Sequence, residues 1–157
     1  MTEPAPATEA EEAGPALVRD IEVPDAAEAD VREAMRELKR GFARADREAL
    51  TRAVTDDFEW HLHWFDGDDD RQTGHVLRGI DEVMAEIQRR SREWTELHYA
   101  DVEERYTEDL VVQTFVVSGV DGTGRRFHHA AVDLYPIRNG RIAAKRTYWK
   151  QPTAGTD

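Results

Sequence analysis

Apolar residues between positions 30 and 54 recur at the spacing of an α-helix. The first stripe has intervals of three and four residues, with charged residues between its members, and consists of Val31, Met35, Leu38, Phe42 and Ala45. This spacing predicts an amphipathic helix with Asp30 as its N-cap. A second short helix, with apolar residues at Leu50, Ala53 and Val54, is expected to end near residues 55–57.

The pattern changes to strict alternation over residues 58–65, which have the sequence FEWHLHWF. One side of this segment carries Phe58, Trp60, Leu62 and Trp64, and the other carries Glu59, His61 and His63. A period of two residues predicts a half-buried β-strand. Polar residues 66–73 predict a loop. After the loop, a third helix from Gly79 to about residue 92 is predicted from the apolar positions Ile80, Val83, Met84 and Ile87.

The C-terminal half of the chain predicts four further strands, at residues 95–106, 109–119, 126–138 and 141–150. Turn-forming residues separate the later strands at 121–124 and at 138–140, where an Asn-Gly pair tolerates positive φ angles. The predicted order is therefore two helices, a strand, a helix and four antiparallel strands. We expect an α+β fold in which three helices pack on a strongly curved, mostly antiparallel sheet.

The length of 157 residues allows one domain with one core. Residues 1–28 are rich in Ala, Glu and Pro and have almost no large apolar residues, so we expect a disordered acidic tail there. The folded domain is predicted to span residues 29–151, followed by a disordered C-terminus at 152–157. Deleting residues 1–27 is expected to leave the melting temperature almost unchanged.

Charge and cysteine content exclude several classes of function. The formal net charge is -12, which disfavours binding to nucleic acid or to an anionic membrane. The sequence contains no cysteine, so disulfides, thiol catalysis and cysteine-ligated zinc do not apply. No apolar stretch is long enough to span a membrane, and the N-terminus does not resemble a secretory signal. A cytoplasmic location is the expectation that follows.

Three segments resemble the nuclear transport factor 2-like superfamily: RGFARADREALTRAVTDDFEW at 40–60, LRGIDEVMAEI at 77–87 and VDLYPIRNGRIAAKRTYW at 132–149. They are similar to the family's helix pair with its acidic turn, its Gly-led third helix and its closing hairpin. The resemblance covers about residues 30–150 and implies a cone-shaped fold around an apolar pocket. The family includes ketosteroid isomerase, scytalone dehydratase, limonene epoxide hydrolase and SnoaL-like polyketide cyclases, so the fold alone does not define an activity.

Asp133 is the strongest candidate for acid–base chemistry, because it lies between Val132 and Leu134 in a predicted central strand, where a carboxyl is uncommon. Strand alternation predicts one face formed by Phe127, His129, Ala131, Asp133 and Tyr135. The resemblance implies that Asp133 matches an aspartic acid that binds the substrate oxygen in ketosteroid isomerases and exchanges protons in SnoaL-like cyclases. The alternative is a structural carboxylate paired with an arginine of a neighbouring strand, such as Arg146.

Other residues of the predicted inner face could contact a ligand. His129 is four residues from Asp133, roughly 13 Å along one strand, so the two could hold opposite ends of a ligand but could not form a dyad. His129 or Tyr135 would orient the substrate oxygen. Aromatic surfaces for binding an apolar molecule are expected at Trp60, Trp64, Tyr135 and Tyr148, with core packing as the alternative for several of them.

The His61-x-His63 spacing is a weak zinc signal, because no third ligand is fixed nearby in the sequence. Alternation turns Trp60 and Leu62 toward the core and both histidines outward. We therefore predict no metal ligands in this chain. The acid–base chemistry implied by the resemblance also requires no cofactor.

Two departures from the family patterns limit the function. The base of ketosteroid isomerase would fall at Leu62, which cannot transfer a proton, and the chain lacks the Arg-x-Asp of limonene epoxide hydrolases. We expect an isomerase, cyclase or dehydratase acting beside a carbonyl of a small apolar ligand; a non-catalytic binding or assembly module is the alternative. Strands 95–106 and 109–119 carry apolar residues on both faces, which predicts a homodimer through the outer face of the sheet.

Overall fold

The computed structural model describes residues 25–63 and 74–150. Within these ranges the chain forms three helices and six strands: α1 (Asp25–Arg44), α2 (Arg47–Ala53), β1 (Val54–Leu62), β2 (His75–Arg78), α3 (Gly79–Glu93), β3 (Thr95–Tyr106), β4 (Leu110–Val120), β5 (Arg126–Arg138) and β6 (Arg141–Trp149). The predicted loop at 66–73, the predicted C-terminal segment and residues 1–24 of the predicted tail lie outside the described residues.

The helices follow the predicted apolar stripes. Helix α1 buries Val31, Ala34, Met35 and Leu38. It begins at Asp25, so the prediction that Asp30 caps it was wrong, and residues 25–28 are helical. Ala45, at a φ of 51°, ends the helix in the left-handed conformation. Asp46 then caps α2, because its side chain accepts a hydrogen bond from the backbone N–H of Ala49 at 3.0 Å.

The sheet begins earlier than the sequence pattern predicted, because β1 starts at Val54 immediately after α2 and includes the polar residues 55–57. Strand β2 was not predicted at all. It pairs with β1 through four residues, from His75 opposite Leu62 to Arg78 opposite Glu59. Its four residues are too few, and too mixed in polarity, to produce a recognisable alternation.

The strand order is β2-β1-β6-β5-β4-β3, and every neighbouring pair is antiparallel except β1 with β6. The four C-terminal strands therefore form the predicted meander. The β5–β6 turn places Asn139 at a φ of 52° and Gly140 at 72°, as a tight Asn-Gly hairpin requires. The α+β fold of three helices on a curled, mostly antiparallel sheet is confirmed.

The helices cover one side of the sheet, here called the inner face. The main core joins α1, α2 and α3 to the inner face and includes Met35, Leu50, Phe58, Trp60 and Val83. A second, smaller cluster packs Phe115, Val117 and Ala131 with Phe127 and Trp149. None of the helices in the described ranges is long and apolar enough to cross a membrane.

Candidate functional site

A row of polar side chains crosses the inner face. Thr147 of β6 pairs with Asp133 of β5, Asp133 pairs with Gln113 of β4, and Gln113 pairs with Glu104 of β3. Directly opposed residues of neighbouring strands present their side chains on the same face. Four strands thus contribute one polar residue each to a surface that is otherwise largely apolar.

Asp133 lies at the centre of this row and is only 1% exposed. Its Oδ2 atom accepts a hydrogen bond from Lys145 Nζ at 2.8 Å and one from the Tyr135 hydroxyl at 3.1 Å. Its Oδ1 atom is also buried, and no donor among the described residues reaches it. A carboxylate usually fills its acceptor sites when it is removed from water, so Oδ1 is the unusual feature of this site.

Lys145 brings a positive charge among aromatic rings. Its Nζ atom lies 4.7 Å from the ring centre of Phe42, 5.2 Å from that of Tyr135 and 5.6 Å from that of Trp60. The side chain of Lys145 is 12% exposed, and that of Asp133 is 2% exposed. Cation–π contacts and the carboxylate compensate the ammonium for lost hydration.

Tyr135 connects the lysine to the rest of the row. Its hydroxyl accepts a hydrogen bond from Lys145 Nζ at 3.0 Å. The single hydroxyl proton can be donated either to Asp133 or to Gln113 Oε1, which lies 3.3 Å away. Burial, and then the negative charge of Asp133, raise the pKa of Tyr135 well above its ordinary value, so the phenol stays protonated and able to donate.

Lys145 was not predicted as a site residue from the sequence pattern, because β6 contains a local irregularity. Ile142 of β6 pairs with Ile137 of β5, and Arg146 of β6 pairs with Leu134 of β5. The segment of β6 between these two pairs is one residue longer than the segment of β5, so β6 contains a β-bulge. Simple alternation from the buried Ile142 would turn Lys145 outward, whereas the bulge turns it inward. The predicted alternative partner of Asp133, Arg146, pairs with Leu134 and is exposed.

Trp60 links this cluster to a second, largely buried cation on α3. Its indole N–H donates to Thr147 Oγ1 at 2.9 Å, and its ring meets Phe42 edge-on at a centroid distance of 5.0 Å. The guanidinium carbon of Arg90 lies 4.6 Å from the Trp60 ring centre and 4.5 Å from that of Trp94. Trp60 is therefore in contact range of both cations.

Tyr99 on the edge strand β3 extends the site toward the surface. The residue is 53% exposed, but its hydroxyl end is buried, and this burial raises the pKa of Tyr99. The positive charge of Arg90 lowers the same pKa and the negative charge of Asp133 raises it, with a net rise. The hydroxyl is thus within electrostatic range of both groups. Left-handed residues with positive φ at Glu96 and Asp101 accompany register shifts on either side of this part of β3.

A surface cavity of about 370 Å³ opens between α1 and β3. It is lined by Arg32, Arg36, Lys39, Val102, Glu104 and Tyr106. The three basic residues are all paired with carboxylates, and Asp133 is not part of the lining. This polar cavity is not the apolar pocket that the resemblance implies.

The sequence matches the model of the SnoaL-like domain over residues 31–145, which is most of the chain. The chain belongs to the SnoaL-like domain family. This SnoaL-like protein matches none of the curated proteins in sequence.

Solved structures share its fold at low sequence identity. An NTF2-like protein from Burkholderia xenovorans LB400 is 18% identical, with a TM-score of 0.64 over 78% of this chain and 90% of the other. A proposed SnoaL-like polyketide cyclase from Jannaschia sp. CCS1 is 17% identical, with a TM-score of 0.60 over 77% and 85%. An LEH-like epoxide hydrolase from M. tuberculosis is 14% identical, with a TM-score of 0.57 over 78% and 84%. At these identities the likeness concerns the fold alone.

The predicted residues fall into separate parts of this SnoaL-like fold. Asp133 and Tyr135 are in direct contact, and Trp60 is adjacent to their partner Lys145. His129 is on the same face but two side-chain rows away, where its ring stacks on Phe127 at 5.9 Å. Burial is the main cause that lowers the pKa of His129.

Tyr148 does not share the face of Asp133. It pairs with Val132, is 40% exposed and stacks on His63 at a centroid distance of 4.1 Å. The expected ligand contact at Tyr148 therefore does not fit the geometry, because strand alternation turns it to the outer face. Trp64 lies outside the described residues, and its expected role stays a prediction.

Proposed function

We propose that this SnoaL-like protein transfers a proton next to a carbonyl group in a small apolar ligand, with Asp133 as the acid–base group. The observation that supports the proposal is the buried Oδ1 atom of Asp133, which lacks a donor among the described residues. Its lone pairs are available for a substrate proton, while Oδ2 is held by Lys145 and Tyr135. Isomerisation, cyclisation and dehydration all begin with such a transfer.

The neighbouring groups have complementary roles in this proposal. Tyr135 remains a phenol, and it orients the carbonyl oxygen by turning its single hydroxyl proton from Asp133 to the ligand, while Lys145 keeps its hydrogen bond to Oδ2. The positive charge of Lys145 offsets negative charge that develops on the substrate as Oδ1 removes the proton. Phe42 and Trp60 provide the apolar, water-poor surroundings in which these interactions are strong.

The test is hydrogen–deuterium exchange at the carbon next to the carbonyl of benzylacetone, an apolar methyl ketone, followed by NMR in deuterium oxide. Wild-type protein is expected to accelerate the exchange. Asp133→Asn should slow it by about a hundredfold or more, the usual loss when a general base is removed. Tyr148→Phe, on the outer face, is the matched control and should exchange at the wild-type rate.

The alternative function is ligand binding or assembly without catalysis. It is favoured by the ion pair itself, since the 2.8 Å contact of Lys145 with Asp133 could be purely structural. Benzylacetone bound by the wild-type protein, as measured by calorimetry, without any acceleration of exchange would support this alternative and contradict the acid–base function.

We also propose a homodimer, independently of the chemistry. The interface predicted from the sequence is the outer face of the sheet. Leu97 of the edge strand β3 is 43% exposed, and a large exposed apolar side chain favours association. Sedimentation velocity at micromolar concentration should give twice the monomer mass. A monomer under those conditions would contradict the proposal.

A further inference from the structure

The ion pair of Lys145 with Asp133 uses only one oxygen of the carboxylate. An arginine at this position could donate to both oxygens of a carboxylate, whereas Lys145 holds only Oδ2 and leaves Oδ1 without a donor. Unlike an arginine, a lysine can give up its proton and become a nucleophile. The nearest acceptor for that proton is Asp133 Oδ2, at 2.8 Å.

We propose that Lys145 forms a Schiff base with the ligand's carbonyl group, so that the substrates are apolar ketones or aldehydes processed as imines. The inference rests on the proposed function, because Asp133 keeps its role as the base. It removes a proton from the carbon next to the imine carbon instead of the carbon next to a free carbonyl. An iminium ion acidifies that carbon far more than a ketone does, and the three rings around Nζ limit competing hydration.

The reaction balances with the groups at the site. Lys145 passes one proton to Asp133 Oδ2, and its lone pair then attacks the carbonyl carbon to form a C–N bond while the C=O π electrons move to oxygen. Asp133 returns the proton to this oxygen, which gives a hydroxyl group. The hydroxyl oxygen takes up a second proton from the nitrogen, and the C–O bond breaks to release water as the nitrogen lone pair forms the C=N bond. The products are a protonated imine on Lys145, one water molecule and the Asp133 carboxylate, whose Oδ1 then removes the neighbouring proton.

The chain offers internal controls for a trapping experiment, because its only lysines are Lys39, Lys145 and Lys150. Full-length protein is incubated with benzylacetone and sodium cyanoborohydride, then digested and mapped by mass spectrometry. We expect the reduced adduct at Lys145, with little at Lys39 or Lys150, and no adduct without the reductant. Labelling that avoids Lys145, or that is equal at all three lysines, would overturn the inference.

Lys145→Arg separates the covalent role from a purely electrostatic one. It keeps the positive charge but cannot form an imine, so it should lose labelling at this position and lose as much exchange activity as Asp133→Asn. Thermal melting shows whether the Lys145→Arg variant is folded. If the variant is unfolded, the labelling pattern of the wild-type protein still decides whether Lys145 forms the imine. Retained exchange in Lys145→Arg overturns the inference while the proposed function stands; absence of exchange in the wild type defeats the proposed function itself.

Discussion

Two largely buried cations, Lys145 and Arg90, lie in contact range of the same indole ring, that of Trp60. Arg90 is paired within its own helix: its Nε atom donates to Glu86 Oε1 at 2.8 Å, and both side chains are 13% exposed. Arg89 donates to both oxygens of Glu86, so that carboxylate is well supplied with donors. Lys145 instead pairs with Asp133 across two strands, and one oxygen of Asp133 has no donor among the described residues.

The difference shows which of the two ion pairs is suited to chemistry. Burial raises the pKa of Glu86, but hydrogen bonds from Arg89 and Arg90 outweigh that effect and the pKa lies below its ordinary value. An arginine does not release its proton at any ordinary pH, so the Arg90 pair supplies no transferable proton. The Lys145 pair has a transferable proton and a carboxylate oxygen with free acceptor capacity, which are the requirements of acid–base and amine catalysis.

The largest expected effect comes from removing the ring that both cations share. Trp60→Ala should reduce the free energy of unfolding by about 4 kcal/mol, since it deletes a fully buried indole and its hydrogen bond to Thr147. Urea denaturation followed by circular dichroism measures the change. A loss below about 1 kcal/mol would show that the two cations do not depend on Trp60.

The next effect separates the two ion pairs directly. Lys145→Met should cost about 3 kcal/mol, because it leaves the Asp133 carboxylate buried without its cation. Arg90→Met should cost less, about 2 kcal/mol, because Glu86 keeps its hydrogen bonds from Arg89. The losses are then the hydrogen bond from Arg90 to Glu86 and the cation–π contacts.

A double variant tests whether the cost of Lys145→Met comes from the stranded carboxylate. Adding Asp133→Leu to Lys145→Met should restore most of the lost stability, as replacement of a buried ion pair by apolar residues often does. Equal losses in the two Met variants, or no recovery in the double variant, would remove the distinction between the two ion pairs.

The smallest effect concerns the aromatic cluster beside Arg90, where His129 packs against Trp149 at 5.3 Å. Its pKa is lowered from 6.5, chiefly by burial, so the unfolded chain binds a proton more readily than the folded one. The contribution of neutral His129 to the free energy of unfolding is therefore complete above pH 6.5. It is lost as the pH falls through the lowered pKa of His129 in the folded protein. The melting temperatures of wild type and His129→Phe are measured from neutral to mildly acidic pH. The melting temperature of the wild type should fall more steeply with decreasing pH than that of the variant; parallel curves of melting temperature against pH would contradict the prediction.

The sequence predicted much of this architecture because its signals are local. The four C-terminal strands begin and end within one residue of the predicted bounds, and the SnoaL-like family was correctly identified from the helix pair and the closing hairpin. Strand alternation also placed Asp133 and Tyr135 on one face. Helix starts were less certain: α1 begins five residues before the predicted cap at Asp30, because helix-compatible residues precede that position.

Periodicity determined which residues share a face within each element, since side-chain direction follows directly from backbone conformation. It could not determine the partners of those residues across the sheet. The β6 bulge turned Lys145 inward against the simple alternation, and the β1–β6 pairing brought Trp60 to Thr147, 87 residues away. Whether Asp133 meets a lysine, an arginine or no cation depends on strand register and on one extra residue in a neighbouring strand, and long-range pairing of this kind is settled only when the whole sheet assembles around its core.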